Sequence, residues 1–94
     1  MKKNISKKQL QKYLDELVAL AKTVTSDVES EVHIPGDDGQ HAWLKLYVPD
    51  EFEEQIDDLI VERTYDIFNE AGYDIAAIAY EKSRLSANGI AQSA

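Results

Sequence analysis

The chain contains no cysteine, and this absence excludes disulfide scaffolds, thiolate zinc sites and cysteine nucleophiles. Apolar residues make up 44% of the 94 residues, yet no run of them approaches the ~18 that a membrane-spanning helix needs. Lys2 and Lys3 are not followed by an apolar stretch, so we expect no secretory signal. These absences predict a cytoplasmic protein with no membrane partner.

Positive charge is also scarce, and the formal net charge is −8. A nucleic-acid binder needs clustered cations to neutralise phosphates, so we expect no direct nucleic-acid partner. The charge is unevenly placed: residues 1–22 carry six lysines against two acids, and residues 50–70 carry nine acids against one arginine. The acidic segment is either a solvated helix face beside a basic first helix, or a surface that meets a basic partner or mimics a phosphate backbone.

Apolar residues at helical spacing predict two helices. The first is expected over about 7–22, with Ser6 as its N-cap. The second is expected over about 51–71, with Asp50 as its N-cap and Gly72 at its C-terminus. The predicted buried stripe of the second helix consists of Phe52, Ile56, Leu59, Ile60, Ile67, Phe68 and Ala71.

Alternating apolar and polar side chains predict a β-hairpin. Its strands are expected at 28–34 and 41–48, joined by the turn-forming sequence Pro-Gly-Asp-Asp-Gly at 35–39. Residues 73–80 are apolar at nearly every position, which is typical of a strand that is buried on two faces or central in a sheet.

The order of these elements predicts an α+β fold, a single α-β-β-α-β domain over residues 1–82. Its three-stranded mixed sheet would join the hairpin to one crossover strand, with two helices packed on one face. Residues 83–94 are rich in Ser, Ala, Asn and Gly and are expected to form a flexible tail.

The two histidines are the weak candidates for a metal site. Matching the apolar faces of the hairpin places Val32 opposite Ala42 and makes His33 and His41 cross-strand neighbours. Two imidazoles with a nearby carboxylate suit a transition metal, but the spacing fixes no third ligand. We therefore predict two solvated histidines at the hairpin tip, with no metal and no cofactor.

Acidic pairs occupy neighbouring turns of the second helix, at Glu53, Glu54, Asp57 and Asp58. Paired carboxylates serve acid–base catalysis only where burial separates their pKa values. These four lie on the polar side of an amphipathic pattern, so we predict no catalytic residue. They are expected to form a solvated surface that steers a basic partner.

Trp43 and Tyr47 are predicted to lie on the sheet face away from the helices. The third strand adds one of its two faces, which carry either Ile78 with Tyr80 or Tyr73 with Ile75. Trp and Tyr are favoured anchors of protein interfaces, and contiguous apolar patches on small proteins mark contacts. A partner-binding sheet face formed by Trp43, Tyr47, Ile78 and Tyr80 is the strongest functional signal in the sequence.

The segments 41–48 and 72–80, with the acidic helix between them, resemble the strand–helix–strand core of minimal nucleotidyltransferases over about residues 10–82. That family places a Gly-Ser turn after its first strand and an Asp-x-Asp metal pair on the next. Here the turn is Pro-Gly-Asp-Asp-Gly, and residues 43–45 are Trp-Leu-Lys where carboxylates are needed to hold two magnesium ions. No catalytic residue is carried over from that family.

The length, the acidity and the missing catalytic set are also similar to those of small antitoxin and inhibitor proteins. The sequence thus predicts a non-catalytic protein-interaction module, antitoxin-like or inhibitor-like, that binds itself or a protein partner. The alternatives are a degenerate nucleotidyltransferase-like domain that binds a nucleotide or metal, and a nucleic-acid-mimicking inhibitor.

Overall fold

The computed structural model describes residues 6–36 and 39–83, which form an α+β fold in the order α-β-β-α-β. Its elements are α1 (Lys7–Lys22), β1 (Glu29–His33), β2 (Ala42–Val48), α2 (Glu53–Ala71) and β3 (Ile75–Glu81). The predicted fold class is confirmed. The tail predicted over 83–94 lies, apart from Ser83, outside the described residues, as do the turn residues 37–38.

The strands lie in the order β1-β2-β3, with β1 antiparallel and β3 parallel to β2. The central strand of this sheet is therefore β2. The alternative that β3 is central is wrong, because among the described residues it has a strand neighbour on one side only. Its apolar composition instead reflects a helix-facing side with Ile75, Ala77 and Ala79 and an outer side with Ala76, Ile78 and Tyr80.

The hairpin register differs by two residues from the predicted one. Val32 lies opposite Leu44 and His33 opposite Trp43. The pairing is continued beyond the strands by a hydrogen bond from the Gly36 amide to the Gln40 carbonyl, at 3.0 Å. A shift of two preserves which side chains share a face, so the predicted faces hold although the predicted neighbours do not.

The helix ends follow their capping residues. The Ser6 hydroxyl accepts the Gln9 amide at 3.2 Å, as predicted, and Gly72 ends α2 in the left-handed conformation with φ 76°. The prediction that Asp50 caps α2 is wrong. A 3₁₀ turn over Asp50–Phe52 precedes the helix, and the Asp50 carboxylate accepts the Ser83 hydroxyl at 2.7 Å instead.

The core lies between one sheet face and the two helices. Its fully buried larger side chains are Leu10, Leu14, Leu17, Leu44, Leu46, Val48, Ile56, Ile60 and Ile67. The helices cover β2 and β3 but not β1, so Val32 is 40% exposed rather than half-buried in the core as its alternating pattern predicted. Burial of these apolar side chains is the main stabilising term of the fold.

Two ion-pair clusters connect distant parts of the chain. Arg63 of α2 donates hydrogen bonds to both carboxylate oxygens of Glu16 in α1, and these bonds raise the pKa of Arg63. Lys82 contacts Asp27 and lies 3.3 Å from Glu29, and its pKa is raised chiefly by the hydrogen bond to Asp27. Exposed pairs of this kind contribute little to stability, because solvent screens them, so the fold depends on its apolar core rather than on these pairs.

Candidate protein-interaction surfaces

One face of the sheet is left uncovered by the helices, and we call it the open sheet face. In β2 and β3 it is formed by Trp43, Lys45, Tyr47, Ala76, Ile78 and Tyr80. The parallel register sets Tyr47 beside Tyr80, and their rings stack with centroids 5.7 Å apart. The structure therefore brings together the four residues that the sequence predicted for a partner-binding face.

The alternative face of the third strand, which carries Tyr73 and Ile75, is buried against the helices. Tyr73 is 8% exposed, its ring lies 5.2 Å from that of Tyr13, and its hydroxyl accepts the Ser6 amide at 3.1 Å. Through this hydrogen bond and ring contact, Tyr73 links the start of α1 to the segment that precedes β3. It belongs to the core and not to an interaction surface.

Charged groups interrupt the aromatic character of the open sheet face. The Lys45 ammonium lies 4.9 Å from the centre of the Trp43 ring, a cation–π distance, and Glu31 of β1 lies opposite Lys45. Burial raises the pKa of the Tyr47 phenol, and the Glu31 carboxylate, which is its hydrogen-bond partner, raises it further. The sequence prediction missed Glu31 because the assumed register placed it opposite Trp43.

The indole of Trp43 has an unusual environment for a residue on an uncovered face. Its Nε1 is buried and has no hydrogen-bond partner among the described residues. The ring of His33 lies 6.4 Å away, centre to centre. Buried indole N–H groups usually have an acceptor, so this donor is an exception to the usual pairing of buried polar atoms.

The two histidines do not form the predicted cross-strand pair. His33 contacts Glu31 at 2.6 Å on the open sheet face, whereas His41 precedes β2 and its Nδ1 accepts the Asp74 amide at 2.9 Å. The predicted pairing of His33 with His41 was wrong because the observed register, which the Gly36–Gln40 hydrogen bond continues, places His33 opposite Trp43. Across residues 6–36 and 39–83, no three His, Asp or Glu side chains group in a way that could hold a metal.

The four acids predicted to steer a partner have different environments. Glu54 and Asp58 are exposed, while Glu53 and Asp57 are half-buried. The Asp57 carboxylate accepts the Ala79 amide at 3.0 Å on the outer edge of β3. Asp57 therefore covers an edge hydrogen-bond donor, a known means of protecting edge strands from further pairing.

A row of exposed acids runs along α2, and we call it the acidic ridge. Its members occur at every fourth position and are Glu54, Asp58, Glu62, Asp66 and Glu70. Four residues of helix rise by ~6 Å, so the ridge is ~24 Å long. The steering surface predicted from the sequence includes Glu54 and Asp58 of this row, and the i+4 spacing of the later three is equally visible in the sequence.

A second row on α2 is apolar and exposed, and we call it the apolar stripe. Val61, Tyr65 and Phe68 are 48%, 68% and 52% exposed. Phe68 was predicted to belong to the core, but Ile67 beside it is the buried residue, since one residue of helix turns the side chain by ~100°. The spacing i, i+4, i+7, offset from the core row, was the signal for this stripe.

The apolar stripe borders a shallow cavity of about 280 Å³ between α2 and the start of β3. The remaining lining residues are Thr64, Asp74 and Ile75. Small-molecule sites usually enclose roughly 300–1,000 Å³, so this cavity suits an inserted side chain better than a whole ligand.

None of the helices in the described ranges is long and apolar enough to span a membrane. Comparison of the chain with known protein families, curated proteins and solved structures found no match. The molecule is thus defined by its geometry: a small α+β domain with an uncovered aromatic sheet face and an exposed helix that is acidic along one row and apolar along the next.

Proposed function

We propose that this chain is a non-catalytic protein-interaction module and that the open sheet face is its contact surface. In its finer form the proposal is an antitoxin-like or inhibitor-like protein of the cytoplasm, which binds itself or a protein partner. The acids of α2 would steer a basic partner toward it, because opposite charges accelerate encounter.

The observation that supports this proposal is the aromatic cluster on a face that neither helix covers. Tyr47 and Tyr80 stack there, Trp43 lies further along β2 on the same face with Lys45 between, and Ile78 is 36% exposed. Aromatic side chains of this kind provide the buried anchors of protein interfaces.

Self-association is the form of contact that the face itself favours. It carries both signs of charge, since Glu31 lies opposite Lys45 on neighbouring strands. In a twofold contact, residue i of one copy meets residue j of the other and the reverse, so Glu31 of each copy can meet Lys45 of the other. A face of one sign could not do so without repulsion.

The test is the solution mass, measured by light scattering after size exclusion over a range of concentrations. We expect a mass that rises toward twice the chain mass of 10.6 kDa. Ile78→Glu should return it to the monomer, because the new carboxylate pairs with Lys45 across the strands but opposes burial in an interface.

Val32→Glu is the matched control. The exposed fraction of Val32, 40%, is similar to the 36% of Ile78, but Val32 lies on the opposite face of the sheet. The control should keep the wild-type mass. A monomer at every concentration contradicts self-association, and a Trp43→Ala variant that retains both self-association and every partner contact rejects the proposal as a whole.

A nucleic-acid-mimicking inhibitor is a second candidate, and the acidic ridge is the observation that favours it. Evenly spaced carboxylates along a helix present a row of negative charge, as a phosphate backbone does. A mimic would displace DNA or RNA from a nucleic-acid-binding partner. Neutralising Glu54, Asp58 and Glu62 should abolish that displacement, and retained displacement would reject this candidate.

A further inference from the structure

We propose that the apolar stripe and the acidic ridge of α2 together form a second docking surface, and that its occupant is a basic amphipathic helix of a different protein. The inference rests on the proposed function in one respect, since both treat the chain as a protein-binding module. The two surfaces share no residue, so their tests are independent.

The two rows lie side by side along the same helix. The acidic ridge follows an i+4 row, and Val61 and Tyr65 begin the adjacent i+4 row, with Phe68 one turn further on. Helices pack by laying one such row into the groove beside another. A helix aligned with α2 would therefore meet an apolar row with one side and a row of carboxylates with the next.

The exposure of the stripe is what indicates an occupant. Single exposed apolar residues are ordinary, but three large ones in a contiguous row beside a cavity are typical of a contact site. Val61, Tyr65 and Phe68 provide the i, i+4, i+7 spacing by which helices are recognised in grooves. The cavity of about 280 Å³ can receive an anchoring side chain from the partner.

The charge of the ridge specifies the chemistry of the occupant. All five ridge acids are exposed. Arg63, the one basic residue of α2, is bonded to Glu16 and lies 3.9 Å from Glu70, so among the ridge acids it compensates the last one. A partner helix with Lys or Arg beside its apolar row would meet complementary charge from the ridge acids that border the stripe. The later members lie further round α2, because each step of four residues turns the row by about 40°. A neutral or acidic helix could bury the same apolar area, but it would bring no positive charge to the ridge carboxylates and would therefore bind less favourably.

A strand is a poorer occupant than a helix. Adding a strand to β3 requires its outer backbone groups, but the Asp57 carboxylate already accepts the Ala79 amide at 3.0 Å. Displacing that carboxylate would leave Asp57 without its partner in a half-buried position. The edge of β3 is thus protected against strand addition at Ala79, whereas the apolar stripe of α2 is exposed.

A second copy of this chain is a poorer occupant as well. Two α2 helices would bring two acidic ridges together, and like charges oppose association. The basic helix α1 could offer Lys7, Lys8 and Lys12, but Ala19 is the only apolar residue among its exposed positions. It therefore cannot fill the apolar stripe.

The test uses a fluorescein-labelled probe peptide of about 18 residues, with leucine at i, i+3, i+4 and i+7 spacing and lysine elsewhere. Binding to the full chain is followed by fluorescence anisotropy. We expect Tyr65→Gln/Phe68→Gln to weaken binding at least about tenfold, because it removes the apolar contacts without changing charge. A peptide with glutamate in place of lysine should not bind.

Val32→Gln/Ile34→Gln is the matched control, because it removes two exposed apolar side chains that lie outside both the stripe and the open sheet face. It should bind the lysine peptide within about twofold of the wild type. Glu62→Gln/Asp66→Asn should weaken binding and flatten its salt dependence, since it removes two ridge charges. Circular dichroism and urea midpoints establish that each variant is folded.

Unchanged affinity in Tyr65→Gln/Phe68→Gln would overturn the inference, because binding would then be electrostatic only. An equal loss in the control pair would also overturn it. A change in solution mass in the stripe variant would show that a second copy occupies the stripe. If instead Ile78→Glu leaves the mass unaltered while the stripe variant loses the peptide, the open-sheet-face proposal fails and this one stands.

Discussion

Two neighbouring residues of α2 provide a sharp test of which side of the helix is buried. Ile67 is fully buried in the core, whereas Phe68 is 52% exposed in the apolar stripe. Residue type alone would rank Phe68 as the more important for stability, since it is the larger apolar side chain. The structure predicts the opposite order for Ile67→Ala and Phe68→Ala.

The magnitudes follow from burial. Truncating a buried Ile to Ala destabilises by ~2–5 kcal/mol, because apolar contacts are lost and a cavity remains. Full burial of a Phe is worth ~1.5–3 kcal/mol, so a side chain about half exposed should lose ~1 kcal/mol. In a domain of this size 1 kcal/mol shifts the melting temperature by roughly 4–8 °C, so the two variants should differ clearly.

Urea unfolding, followed by circular dichroism, measures both free energies of unfolding. We expect equal m-values and a midpoint for Ile67→Ala well below that of Phe68→Ala. Equal destabilisation by the two variants would refute the reasoning. It would mean that the apolar stripe is already covered in the free protein.

Three further predictions concern single residues outside the apolar stripe. Gly72→Ala should destabilise by ~1–2 kcal/mol in urea unfolding, because φ 76° places a Cβ in the left-handed region. Tyr73→Phe should destabilise by ~0.5–1.5 kcal/mol by the same measurement, since the Ser6 amide loses its acceptor. The raised pKa of Tyr47 means that the folded state holds this proton more tightly than the unfolded state. Its stabilising contribution is therefore complete below the ordinary pKa of 10.0 and is lost as pH rises through the folded value. Ultraviolet titration should show one late-ionising phenol that disappears in Tyr47→Phe.

The helices were predictable because their signals are local. Ser6 and Gly72 mark helix ends by capping chemistry that acts over a few residues, and the 3.6-residue period identifies Ile56, Ile60 and Ile67 as core. Asp50 was misassigned because a 3₁₀ turn and a helix begin with the same residue types. Its bond to Ser83 involves a contact 33 positions away, which no local pattern reveals.

The sequence predicted which residues share the open sheet face, but not which residues lie opposite each other across the strands. Strand alternation placed Trp43 and Tyr47 on one face, and this assignment survived a register error of two residues because the side-chain period is two. The cross-strand neighbours did not survive it: Glu31 was expected opposite Trp43 and lies opposite Lys45. Phe68 shares an offset apolar spacing with Val61 and Tyr65, but which of two neighbouring apolar rows faces the core depends on where α2 lies relative to β3.

The most direct test of the central claim uses Trp43, the single tryptophan of the chain, which lies on the open sheet face itself. Its fluorescence emission should be recorded across a wide range of protein concentrations. If this face associates, the emission should shift to shorter wavelength as concentration rises in the wild type and in Val32→Glu, and stay constant in Ile78→Glu. Emission that does not change with concentration in the wild type would contradict the proposed self-contact of this face.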